Sequence, residues 1–441
     1  MDRTLWAALV LYAAAGVFAM QYYTFAADEY VYMNLASEIN DGTYATSPDV
    51  GRPPLLPYLN SIVYRVTGPS ELATKALNLM LGAGLVLLTY FVTREHFGKQ
   101  AGGWASLAVA TNPFVLFFAG RALSEILFML LAVGCTYALL KTREDFRWFV
   151  PLGALTTLLV LARYPGLLLL PGFMMVALYL HRQKLLTNGW MYAGVVAAAV
   201  FFAPYGIISA QITGNPLGLM MNFIGSAAQA PLSAFASGVP DRIPSYLLTA
   251  PLIFGAFLLP LVVGIILQPD WKKKVQKAIL DERVVAFVLP ALLLLVLIEF
   301  TVSLKELRYS SVLAPLVLIP ACAAIGKRLE QKEVLRKLAF VCIGMNLLAG
   351  LAITYYFGAI YEKQVAHANV GKYLAQNCGG TVLSNAPHLV RHYTRQPEDS
   401  INPDCILYTD YEGQNPQVKA KLGHYQAAYA SGKATVYVRQ R

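Results

Sequence analysis

Apolar residues run through this chain in blocks of fifteen to twenty-five, separated by short polar joints, with no sustained period-2 alternation. Blocks of that length match the ~30 Å apolar thickness of a bilayer, and backbone groups in lipid must be satisfied within the segment, which selects helices. Long blocks rather than alternating ten-residue ones exclude a spanning β-barrel. The pattern predicts eleven spans, at about 5 to 25, 71 to 93, 101 to 119, 122 to 140, 148 to 162, 165 to 180, 190 to 212, 245 to 268, 284 to 301, 309 to 326 and 337 to 358.

Two segments break the apolar pattern. Residues 26–70 form a long early loop. In it Asp28 can cap a helix whose Tyr32, Leu35, Ala36 and Ile39 share a face and which ends at Gly42. A second helix follows Pro53 and Pro54, with Leu55, Leu59, Ile62 and Val66 on one face and Tyr58 and Tyr64 at headgroup depth. Both read as helices lying on the membrane surface. From residue 359 the chain turns polar and predicts a small α/β unit: a helix around "HANVGKYLAQN", a strand "TVLS", a short helix "APHLVRHYT", and strands "CILYT" and "ATVYVR". The predicted organisation is a membrane domain over 1–358 and an outer α/β domain over 359–441.

Composition agrees: 57% of residues are hydrophobic and only 14% charged, against about 25% charged in ordinary soluble domains. The net charge is +10, but 18 of the 35 basic residues fall in the joints on the N-terminal side of the predicted membrane and eight on the other before the tail. That asymmetry places the N-terminus in the cytoplasm and the tail outside, in a multi-pass protein of the cell membrane. It also accounts for much of the charge without nucleic acid, and no basic block interleaved with aromatics occurs. The first span, lacking a convincing cleavage site before Asp28, reads as a retained anchor rather than a signal peptide. Cys135, Cys322 and Cys342 lie in spans as apolar filler, whereas Cys378 and Cys405 each precede an outer strand, where a disulfide and two buried thiols both fit.

The ionisable groups that sit where apolar residues would be cheaper collect at the outer boundary: Asp28 and Glu29 in "FAADEY", Arg52 in "GRPPLLPYL", Arg121 and Glu125 in "GRALSEILF", Arg163 in "LARYPG", Glu299, and Lys305, Glu306 and Arg308 in "LKELRYSS". Guanidinium groups at headgroup depth suit a lipid phosphate, and a carboxylate beside them suits a base. Simpler roles compete. Asp28 can be only a cap, Arg121 and Glu125 can pair across one helical turn, Arg52 can anchor to headgroups, and Arg163 and Lys305 can snorkel. Asp28 and Glu29 could hold a divalent ion, although no His- or Cys-rich ligand set accompanies them before the tail.

Taken in order, these motifs resemble the GT-C superfamily of membrane glycosyltransferases that use polyprenyl-phosphate sugars, most of all the protein O-mannosyltransferases and lipid A aminoarabinose transferases. The likeness covers most of residues 1–326; the Trp-Trp-Asp-Tyr-Gly signature of the oligosaccharyltransferase branch is absent. The resemblance implies an α-helical polytopic fold and transfer of a sugar from a polyprenyl phosphate to a hydroxyl of a glycan, lipid or protein, with inversion. It puts the essential acid at Asp28 with Glu29 beside it, and donor or acceptor contacts at Arg52, Arg121, Glu125, Arg163, Lys305, Arg308 and Tyr309. Many members carry lysine at the position of Arg52. A transporter or flippase of lipid-linked sugars is the alternative, but such proteins place polar groups near the midplane, often in repeated halves, and no repeat is visible here.

Overall fold

The computed structural model describes residues 2–22, 27–229, 247, 250–267, 271–301, 307–356, 362–394, 403–410 and 416–439. Each of the eleven apolar blocks is mainly helical over its described residues, with breaks at 111–112, 122–124 and 312–313. Among the described residues six helices are long and apolar enough to cross a membrane: Arg3–Gln21, Glu71–Phe97, Tyr164–His181, Gly189–Thr213, Glu282–Phe300 and Glu333–Tyr355. A seventh span arises if Lys99–Ala110 and Pro113–Ala119, bent by 58°, count as one. Phe146–Ala162 and Pro251–Ile266 are apolar but shorter, so a count of eleven crossings is not established.

The breaks have polar stitching, as backbone freed inside lipid requires. At the bend, Asn112 accepts from Phe114 N–H through Oδ1 (3.0 Å) and donates to the Ile253 carbonyl (2.8 Å). Asn346 Oδ1 accepts the Ala256 N–H (2.7 Å) beside a second break. Among the described residues the buried apolar cluster runs from Leu5 and Tyr12 through Phe118, Phe128 and Phe287 to Ile325 and Ile343.

The early loop holds the two expected helices, Ala27–Asp41 and Leu55–Thr67. They pack on each other, tied by Asn40 Nδ2 donating to the Ser61 carbonyl (3.0 Å). Ile62 and Val66 are exposed, the face a lipid surface would cover. Tyr64 departs from its expected headgroup position. It is buried, with its hydroxyl 2.7 Å from Thr74 Oγ1, because this side of the helix leans on the Glu71–Phe97 span.

The C-terminal region is a four-stranded sheet flanked by helices Glu362–Asn377 and Pro387–Thr394. Strands β1 (Val382–Ser384), β2 (Cys405–Thr409), β3 (Tyr425–Ser431) and β4 (Ala434–Arg439) lie in the order β1-β2-β4-β3, with β1 parallel to β2 and the other pairs antiparallel. Strand β3 and the short helix Pro416–Lys421 were not anticipated. Cys378 and Cys405 form a disulfide, settling the open alternative in its favour; Cys135, Cys322 and Cys342 are free and buried.

Candidate active site

The two neighbouring acids of the early loop part ways. Asp28, in the first turn of Ala27–Asp41, gives one carboxylate oxygen to each of two arginines from distant segments: Arg52 Nη1 donates to Oδ1 (3.0 Å) and Arg308 Nη1 to Oδ2 (2.9 Å). All three side chains keep 25–29% of their surface open. Burial works against the charged carboxylate, but Arg52, Arg308 and Arg163 outweigh it and hold Asp28 well below the usual carboxylate range.

Each arginine is aimed by its own segment. Arg52 ends a turn in which its N–H donates to the Asp49 carbonyl (2.9 Å), and its guanidinium lies over the Phe223 ring at 5.4 Å. The neighbouring Gly51 carbonyl accepts from Tyr164 Oη (2.9 Å), itself 3.0 Å from Tyr205 Oη. Arg308 stands on the short helix Leu307–Ser311, with its own carbonyl accepting from Ser311 Oγ (2.9 Å). Tyr309 lies between two cations, 5.6 Å from Arg163 and 5.3 Å from Arg308.

Glu29 faces inward and is fully buried. It accepts from Arg121 Nη2 (2.9 Å) and from the Ala122 backbone N–H (2.9 Å). Glu125, also fully buried, is ion-paired with Arg163, which is itself 12% exposed. The local pairing of Arg121 with Glu125 therefore does not occur. Helix Glu125–Lys141 begins only at Glu125, so residues 121–124 lack the helical geometry that brings i and i+4 together. Arg121 also stacks over Phe117 at 4.8 Å.

Most of the expected set thus converges. Asp28, Arg52, Arg308, Tyr309, Arg163 and Glu125 form one connected cluster, and Glu29 with Arg121 backs it from the interior. Lys305 and Glu306 lie outside the described residues. The Asp28 and Glu29 carboxylates point to different arginines rather than to a common point. Among the described residues no three His, Cys, Asp or Glu side chains gather as metal ligands. Asn78 was not singled out, although an amide within the apolar run "KALNLML" is itself a signal. It is buried in the Glu71–Phe97 span and donates to carbonyls of the turn carrying Arg121, at Phe118 (3.2 Å), Leu123 (3.1 Å) and Arg121 itself.

Residues 51–208 match the family model described as dolichyl-phosphate-mannose-protein mannosyltransferase. No curated protein sequence matches the chain. Among solved structures, ArnT from Cupriavidus metallidurans bound to undecaprenyl phosphate aligns with 98% of this chain and 97% of its own, at TM-score 0.74 and 15% identity. Its apo state aligns over 98% and 96%, at 0.69 and 14%. AglB, the oligosaccharyltransferase from Archaeoglobus fulgidus, in complex with an inhibitory peptide and a dolichol-phosphate, aligns over 99% and 74%, at 0.58 and 13%. At these identities the solved structures establish the shared fold. The chain thus shares the fold of these membrane-embedded structures over its whole length and carries a match to the mannosyltransferase family model across residues 51–208.

Proposed function

We propose that the protein transfers a sugar from a polyprenyl-phosphate donor to an acceptor hydroxyl at the outer face of the cell membrane, with Asp28 as general base. The observation that carries this reading is the single carboxylate held by two partly open arginines, one 24 and the other 280 residues further along the chain. The lipid phosphates bound in the ArnT and AglB structures, undecaprenyl phosphate and a dolichol-phosphate, are what such a donor leaves behind, and they support the donor class. The description of the matching family model, a protein mannosyltransferase, supports a protein hydroxyl as one acceptor class alongside glycan and lipid. The N-terminus lies in the cytoplasm and the C-terminal α/β domain, residues 359–441, outside.

In the resting site Asp28 is charged but weakly basic, because two guanidinium groups stabilise its anion. A donor phosphate competes for those groups, since guanidinium binds phosphate oxygens in the same planar fork. As Arg52 and Arg308 turn to the phosphate, the carboxylate loses counter-charge and becomes a better proton acceptor. The acceptor oxygen then attacks the anomeric carbon as its proton passes to Asp28. The bond from that carbon to the phosphate oxygen breaks, and polyprenyl phosphate leaves with its growing charge held by the arginines. One displacement inverts the anomeric centre. Lys305, Arg163 and Tyr309 complete the donor contacts, while Glu29, Arg121 and Glu125 hold the frame.

The test is to reconstitute the purified protein with a radiolabelled polyprenyl-phosphate hexose and candidate peptide, glycan and lipid acceptors. Label on an acceptor with inverted anomeric configuration is expected. Movement of intact donor between leaflets with no transfer to any acceptor would instead show a flippase.

A further inference from the structure

Behind the helix that carries Asp28 lies the C-terminal region, and the contact between them is a shared core. Tyr30 and Met33 are almost wholly buried in a cluster with Val370, Leu374, Leu389 and Val390. These two residues sit about 140° to 200° around the helix from Asp28, on its opposite side. Ala122, whose N–H holds Glu29, belongs to the same cluster.

Polar contacts finish the joint, and three consecutive residues of helix Pro387–Thr394 make them. Arg391 Nη1 reaches Glu38 Oε1 (3.3 Å) and Asp49 Oδ2 (3.1 Å). His392 Nε2 meets Glu71 Oε1 (3.2 Å) while its ring lies 4.8 Å from Tyr30. The Tyr393 hydroxyl is 3.2 Å from that of Tyr30. Glu38 is on the Asp28 helix, and Asp49 is the residue whose carbonyl anchors the turn of Arg52. One guanidinium therefore bridges the segment bearing the carboxylate and the segment bearing its arginine.

We infer that Arg391, His392 and Tyr393 are positioning residues for the Asp28–Arg52 pair, so that the C-terminal region sets the geometry of the reaction from behind the base. The inference rests on the role of Asp28 given above. This ion pair is partly open to solvent, which screens its share of global stability, so its loss registers mainly in local geometry and rate. Displacements of about 1 Å at a reacting group are worth up to about a hundredfold in rate.

The test uses the full chain in lipid nanodiscs. Arg391→Ala is expected to lower kcat about tenfold or more, with Arg391→Lys recovering most of it and the thermal midpoint close to wild type. Hydrogen–deuterium exchange should accelerate within 27–41 and 47–52 and stay unchanged in distant spans. Gly371→Ala gives a second handle, because a Cβ at Gly371 would run into the Tyr393 ring; it is expected to act in the same direction. Faster exchange supports the grip even if the wild type transfers no sugar, in which case the transferase reading is what fails. Wild-type exchange and wild-type kcat in both Arg391→Ala and Gly371→Ala would overturn the inference.

Discussion

Asp28 and Glu29 are one peptide bond apart, and each is paired with arginine at 2.9–3.0 Å, yet the two pairs live in different media. The Asp28 cluster keeps about a quarter of its surface open, whereas the Glu29–Arg121 pair is 0% and 7% exposed. Solvation decides what such a pair can do. A partly open carboxylate can exchange partners with an incoming phosphate. A buried one has nothing to exchange with, and its ion pair is held because separating it inside the protein is costly.

Breaking the buried pair is the largest expected effect. Glu29→Ala or Arg121→Ala leaves the other charge unpaired and should lower stability by about 3–5 kcal/mol, read as a fall in Tm in detergent; the apolar double change Glu29→Leu with Arg121→Met should regain most of it. If Glu29→Ala kept the wild-type Tm while abolishing transfer, Glu29 would belong with the chemistry and the contrast would be lost.

Disturbing the open pair should spare the fold and weaken the donor. Arg308→Ala is expected to raise the donor KM about ten- to a hundredfold, the scale of one charge-assisted hydrogen bond, with a near-normal Tm. Arg308→Lys, which keeps charge without the fork, should fall between. A donor KM unmoved by Arg308→Ala would separate this arginine from the phosphate.

The smallest effect is on pH. The folded-state pKa of Asp28 lies below its unfolded value, so its contribution to stability is fully present above the ordinary carboxylate pKa of about 4 and is lost as pH falls through the depressed one. The Tm difference between wild type and Asp28→Asn should stay flat from pH 8 to 5 and shrink only below about pH 4. Shrinkage already between pH 7 and 5 would mean the arginines do not hold the resting carboxylate.

The apolar blocks and outward charges made the helical fold and most members of the cluster legible, because membrane burial makes hydropathy and stray charge strong signals. Partners were a different matter. Arg121 and Glu125 look like a helical pair, but the turn at 120–124 removes that geometry and sends them to Glu29 and Arg163, 92 and 38 residues away. Strand β3, "YQAAYAS", carries little β preference and is exposed along most of its length, so no alternation marks it; only the following Gly432-Lys433 turn hints at a hairpin. The contact of Arg391 with Glu38 spans 353 residues, and nothing local announces it.

In the mechanism proposed above, Asp28 takes the acceptor's proton. Transfer rates from a radiolabelled polyprenyl-phosphate hexose are compared for wild type and Asp28→Asn, at saturating donor and a temperature well below both Tm values. A loss of about 10²- to 10⁴-fold in kcat is predicted, the range for a general base; equal rates would contradict it.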